Sequence, residues 1–237
     1  IFVSLLVSVH WRTLWIVAAI LALLATPALI ALLKHERTPQ SIARDTPSLG
    51  MNSQHWTRKM VLNNWLFWLL VPSFLGPSAW GTALFFQQVH LSEVKGWSHL
   101  EFVSLLPLFT VVSVGSTFLV GSALDKFGTG RLMPYLMLPY AAAFVVLTYA
   151  DTIFMAGVGL VVFGFGAGAT TALPGAFAAE FYGTKFIGGI KSLIAALMVL
   201  GSAIGPGISG VLIDRGIDFP HQMSAISVYF LVAGALG

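Results

Sequence analysis

The stretch Gly121-Ser-Ala-Leu-Asp125-Lys126-Phe-Gly128-Thr-Gly-Arg131 decides the fold, because residues 102–124 before it and 132–150 after it carry no charged side chain. A helix rises about 1.5 Å per residue, so a bilayer core takes about 20 apolar residues, and both runs are long enough to cross one. So short a turn makes the two helices antiparallel neighbours. It also leaves Asp125, Lys126 and Arg131 at the membrane surface, where charge is tolerated.

Further charge-free runs lie on either side, at 13–33, 61–92, 152–179 and 192–213, with shorter ones at 1–9 and 222–237. Each is expected to be helical, since lipid offers the backbone no hydrogen-bond partner and open strand edges are not viable there. The expectation is six full crossings and two clipped ones, an all-α polytopic transmembrane bundle. Composition agrees: 57% of residues are hydrophobic and 9% charged, against about 25% charged in soluble domains. Both ends fall in apolar runs, Ile1–Val9 and Ser224–Gly237, so the chain is expected to be part of a longer one.

Several function classes fall away on composition. Cysteine is absent, which excludes disulfides, thiolate metal sites and a cysteine nucleophile. The net charge of +3 comes from residues scattered through loops rather than aligned in a stripe, which argues against nucleic acid as a partner. None of His10, His35, His55, His90, His99 and His221 stands at ligand spacing; no metal site and no cofactor are expected. No Asp, Glu, Lys or Arg falls within a run, and none of the histidines is expected at mid-membrane, where an ionisable residue would mark a proton relay.

Lysine and arginine give the orientation. Alternate loops on one side hold nine of them (Lys34, Arg37, Arg44, Arg58, Lys59, Lys126, Arg131, Lys185, Lys191), and the other side holds three (Arg12, Lys95, Arg215). The richer side is assigned to the cytoplasm, and with it the 34–60 loop. The expected location is the cell membrane, plasma or inner, with membrane lipid as a partner.

Gly121-x-x-x-Asp125-Lys126-x-Gly128 resembles the cytoplasmic loop motif of the major facilitator superfamily, roughly Gly-x-Leu-Ala-Asp-Arg-x-Gly-Arg-Lys. The basic pair of that motif is replaced by Thr129 and Gly130, with Arg131 following. In that family a degenerate copy joins helices eight and nine, and the resemblance places this turn there. Other segments keep the register: His10-Trp11-Arg12 before helix six, Glu180 to Lys191 between ten and eleven, and Gly201-x-x-x-Gly205-Pro206 in helix eleven. The resemblance implies three parts: 1–33 as the end of one bundle (end of helix five, then helix six), 34–60 as the central loop, and 61–237 as helices seven to twelve. It also implies a further partner, the N-terminal half of the same polypeptide. Helices ten and eleven are weakly similar to the monocarboxylate and oxalate–formate branch, where a cation in helix eight or within helix eleven meets the organic anion. Here run 102–124 has no cation and Lys191 stands at the start of helix eleven.

Three sets of residues are candidates for function. Gly121, Asp125, Lys126, Gly128 and Arg131 are read as a conformational latch, the carboxylate capping a helix or pairing with a cation; solvated turn charges are the plainer reading. Ser73, Trp80, Gln87, Gln88, Thr170 and Thr171 are candidate lining of a solute cavity, the first four on a crossing that Pro72, Gly76 and Pro77 should kink. Interhelical hydrogen bonds and bonding to the own helix are the alternatives for these. Glu180, Lys185 and Lys191 form a second charged loop. Small residues every fourth position, such as Gly164, Gly168, Ala172 and Ala176 or Gly201, Gly205 and Ser209, mark packing faces. The function expected is secondary transport of a small solute by alternating access, an organic anion being one candidate class. An integral-membrane enzyme or a seven-helix receptor or scaffold would be the alternatives.

Overall fold

A computed structural model describes residues 11–33 and 47–236. All their regular structure is helical, and seven helical segments are long and apolar enough to cross a membrane. The chain divides into two units after residue 46. Of the first, the structure describes one helix, α1 (Trp11–Leu33), matching the expected run 13–33. Run 1–9 and the first part of the central loop lie outside the described residues.

The second unit holds six crossings. The first is α3 (Trp65–Phe86), preceded by α2 (Arg58–Leu62) and followed by α4 (Gln88–Lys95). Next come α5 (His99–Ser104) with α6 (Leu106–Phe127), then α7 (Thr129–Leu136) with α8 (Leu138–Tyr149). The last three are α9 (Ile153–Tyr182), α10 (Ile187–Asp214) and α11 (Phe219–Leu236). The clipped run at 222–237 thus becomes a crossing, because its helix starts upstream at Phe219. Run 61–92 instead divides at Gln87, while α3 is continuous through Pro72 and Pro77. Side-chain caps mark several starts: Asn64 Oδ1 accepts from the Leu66 amide at 2.8 Å and Thr152 from Met155 at 3.3 Å.

The packing follows the small residues. The main pairings are α9 with α6, α10 with α3, α8 with α9, α8 with α11 and α3 with α11. Exchanging the first three crossings for the last three maps these pairings onto themselves, as in folds built from inverted repeats. Gly164 and Gly168 let α9 close on the Phe109 and Ser113 carbonyls of α6, and a Cβ on Gly168 would overlap the latter. Gly201 and Gly205 do the same for α10 against Leu75 and Ala79 of α3. Hydroxyls then bind across helices: Ser116 to the Phe165 carbonyl at 2.6 Å, Thr117 to that of Gly168 at 3.2 Å, and Ser227 to that of Ala141 at 2.9 Å. A run of touching rings (Phe85, Phe109, Phe163, Tyr140, Phe230, Tyr229, Trp80) fills the space between the crossings.

Residues 47–57, within the stretch expected as linker, fold onto the turn after α9. The Ser48 amide donates to Thr184 Oγ1 at 2.9 Å, and the Thr184 amide returns a bond to the Ser48 carbonyl at 3.2 Å. Trp56 is buried, its ring 5.5 Å from that of Tyr182. Gly183 takes φ +76° there, and a Cβ on it would lie 2.6 Å from the Ser48 carbonyl. Gly183→Ala is therefore expected to cost about 2 kcal/mol through strain and steric conflict. Thermal unfolding in detergent checks this, with Gly216→Ala, which has positive φ but open space, separating the two causes.

Candidate functional site

The turn at 121–131 meets the end of α9. Gly128, at φ +79°, closes α6 and opens α7. Glu180 Oε2 accepts from both the Thr129 amide and the Thr129 hydroxyl at 2.8 Å, so a carboxylate caps α7. That carboxylate belongs to Glu180, not Asp125. The reason is positional: Asp125 sits on the exposed side of the last turn of α6, while α7 starts facing α9. Asp125, Lys126 and Arg131 are exposed and make no ion pair or side-chain hydrogen bond among the described residues; Lys126 lies over the ring of Phe127. Gly121 has open space in front of it. Glu180→Ala should cost about 1–2 kcal/mol by leaving the buried Thr129 donors unpaired. Glu180→Gln, which keeps an acceptor, should recover part of that in the same melting experiment.

The polar candidates do not converge on one cavity. Ser73 is buried and donates to the Ala233 carbonyl of α11 at 3.0 Å. Thr170 is buried against α8, its hydroxyl 2.8 Å from that of Tyr140, and Thr171 is exposed and bonded to the Ala167 carbonyl of its own helix. Gln87 lies at the helix break beside Gly210 of α10, and Gln88 has a buried carbonyl oxygen with no partner among the described residues. Trp80 is half-buried; its indole nitrogen has no partner among the described residues, and its ring stands edge-on to Tyr229 at 5.9 Å. Tyr229, unmarked in sequence reasoning, donates to the Pro72 carbonyl at 2.8 Å across Gly76.

The charged set is more informative. Lys185 and Lys191 both stand at the first turns of α10 or just before it. Lys191 turns inward across the seam to α9: a Cβ on Gly175 would lie 3.3 Å from its Nζ. Gly175 is seven residues before the end of α9 at Tyr182, about 10 Å along the axis. The ammonium therefore lies inward of the helix end, next along α9 to Pro174, while Lys191 itself stays exposed. It has no hydrogen bond or ion pair among the described residues. The bare face of Gly175 gives it room, a signal that becomes legible once α9 and α10 are paired.

The two least buried crossings of this unit are His99–Phe127, with 11% of its apolar window covered, and Ile187–Asp214, with 17%; the other four reach 44–50%. A sequence model described as Major Facilitator Superfamily matches residues 1–206. The chain belongs to the Major Facilitator Superfamily. No curated protein matches it in sequence. As a member of this superfamily, with seven apolar helices of spanning length, it is a multi-pass membrane transport protein. At the level of the family it is a carrier of solutes rather than an enzyme.

Proposed function

We propose that this superfamily member moves a small organic anion by alternating access, with Lys191 as the cationic contact on this bundle. The observation that carries the reading is the Lys191 ammonium seated on Gly175, inward of the helix ends and without a counter-charge among the described residues. Lys191 is exposed, so its cation is open to a negative solute, and cations inward of helix ends commonly mark substrate pathways. A transported carboxylate or phosphate would meet it transiently.

The second element of the reading is a partner bundle, the other half of the same polypeptide, lying against α6 and α10. Its support is the low burial of those two crossings together with their glycines, Gly115 and Gly121 on α6 and Gly207 on α10, which face open space. Small residues there permit close and shifting helix contact. In this arrangement the basic end, with the 34–60 loop, faces the cytoplasm of a cell membrane by the positive-inside rule. The Asp125 turn lies at that end, and a bias of about 1 kcal/mol from it is enough to favour one state of a two-state carrier. Asp125→Asn in the intact polypeptide should slow uptake while leaving its melting temperature unchanged; equal uptake rates in reconstituted vesicles would remove the turn from the mechanism.

A further inference from the structure

At the basic end, the loop before α2 and the start of α10 enclose a groove of about 350 Å³ lined by Thr57, Arg58, Lys185, Phe186, Gly188 and Gly189. Two cations from distant parts of the chain line it, and among the described residues no acidic one does. Neither Arg58 nor Lys185 has an ion pair or hydrogen-bond partner among the described residues; Lys185 lies 5.6 Å over the ring of Phe186. The two glycines leave the wall bare, since a Cβ on either would meet nothing within 4 Å. Just after α2, which Arg58 opens, α3 begins with Trp65, 73% exposed, and Trp68, 53% exposed, the latter holding its indole N–H on the Leu62 carbonyl at 2.8 Å.

We infer that this groove binds the phosphate of an anionic phospholipid, with Arg58 and Lys185 holding the headgroup. Guanidinium and ammonium groups are the usual partners of phosphate oxygens. Arg58 and Lys185 sit at the ends of crossings, where a headgroup lies, and exposed tryptophans at that level suit the upper acyl chain. These aromatic neighbours favour a lipid over free phosphate. The site is separate from Lys191, which turns away to Gly175.

The test uses the intact polypeptide in dodecylmaltoside micelles, titrated with phosphatidylglycerol or phosphatidylcholine. Retained lipid is read by native mass spectrometry. Phosphatidylglycerol should be retained in preference to phosphatidylcholine, and Arg58→Gln with Lys185→Gln should weaken that retention roughly tenfold or more. Lys126→Gln with Arg131→Gln, the same charge change at the neighbouring turn, should leave it intact. Gly188→Leu with Gly189→Leu keeps every charge but fills the groove, and should abolish retention while melting temperature is kept. Inorganic phosphate at millimolar concentration should not displace the lipid. Equal loss in both charge variants, or retention by the filled variant, would overturn the site. Displacement by inorganic phosphate would overturn the lipid as its ligand.

Discussion

Replacing Gly168 or Gly205 by valine is expected to unfold the bundle at ordinary temperatures. A Cβ at either position would overlap a backbone carbonyl, Ser113 for Gly168 and Ala79 for Gly205. A carbonyl within a helix cannot rotate away, so the helices must separate. Separation would break the Ser116–Phe165 and Thr117–Gly168 hydrogen bonds on one side and open the α3–α10 seam on the other. Overpacking at sites with yielding neighbours costs about 1–3 kcal/mol, and these two sites should exceed that. Gly207→Ala serves as the comparison, because open space faces it and alanine favours helix by about 0.5–1 kcal/mol. Melting temperatures in detergent should fall steeply for the first two and hold or rise for the third.

Loss of the Lys191 charge is expected to remove transport without harming the fold. Lys191→Gln keeps length and polarity but discards the ammonium, which has no protein partner among the described residues to leave stranded. A charged hydrogen bond contributes about 1.5–3 kcal/mol, so uptake of an organic anion should drop roughly 10- to 100-fold in rate over KM. Gly175→Leu offers an independent route to the same loss. Its side chain would occupy the place of the Lys191 amine, displacing a flexible terminus rather than backbone. Both variants should run as monodisperse protein with unchanged melting temperature. If either transports an organic anion at the original rate, Lys191 is a solvated surface charge and the proposed contact is wrong.

Much of the architecture was legible in the sequence because lipid leaves the backbone few options. Charge-free runs gave the crossings, and the four-residue spacing of Gly164 and Gly168, or Gly201 and Gly205, marked the faces that the structure brings onto α6 and α3. The break at Gln87 was not legible, since the residues that draw attention are the prolines at 72 and 77, inside a helix that runs on through them. The site was read less well, for a physical reason. A hydroxyl on an apolar helix has no fixed meaning until its neighbour is known: Thr170 proves to serve Tyr140, and Ser73 to serve the Ala233 carbonyl. Glu180 caps a helix 51 residues away in sequence, and local spacing instead drew attention to Asp125. Gly175 matters only for what its bare face admits.

The alternation at the centre of this account is tested most directly by cysteine accessibility. The chain contains no cysteine, and Gly121 near the basic end of α6 and Gly207 towards the other end of α10 both face open space. Gly121→Cys and Gly207→Cys would be introduced singly into an otherwise cysteine-free intact polypeptide in membrane vesicles. Each would then be labelled with an impermeant maleimide from its own side, with and without a transported organic anion. The account predicts reciprocal change: the anion raises labelling at one position and lowers it at the other, and Lys191→Gln abolishes the response. Labelling rates that do not respond to the anion, or that rise and fall together at the two ends, would contradict it.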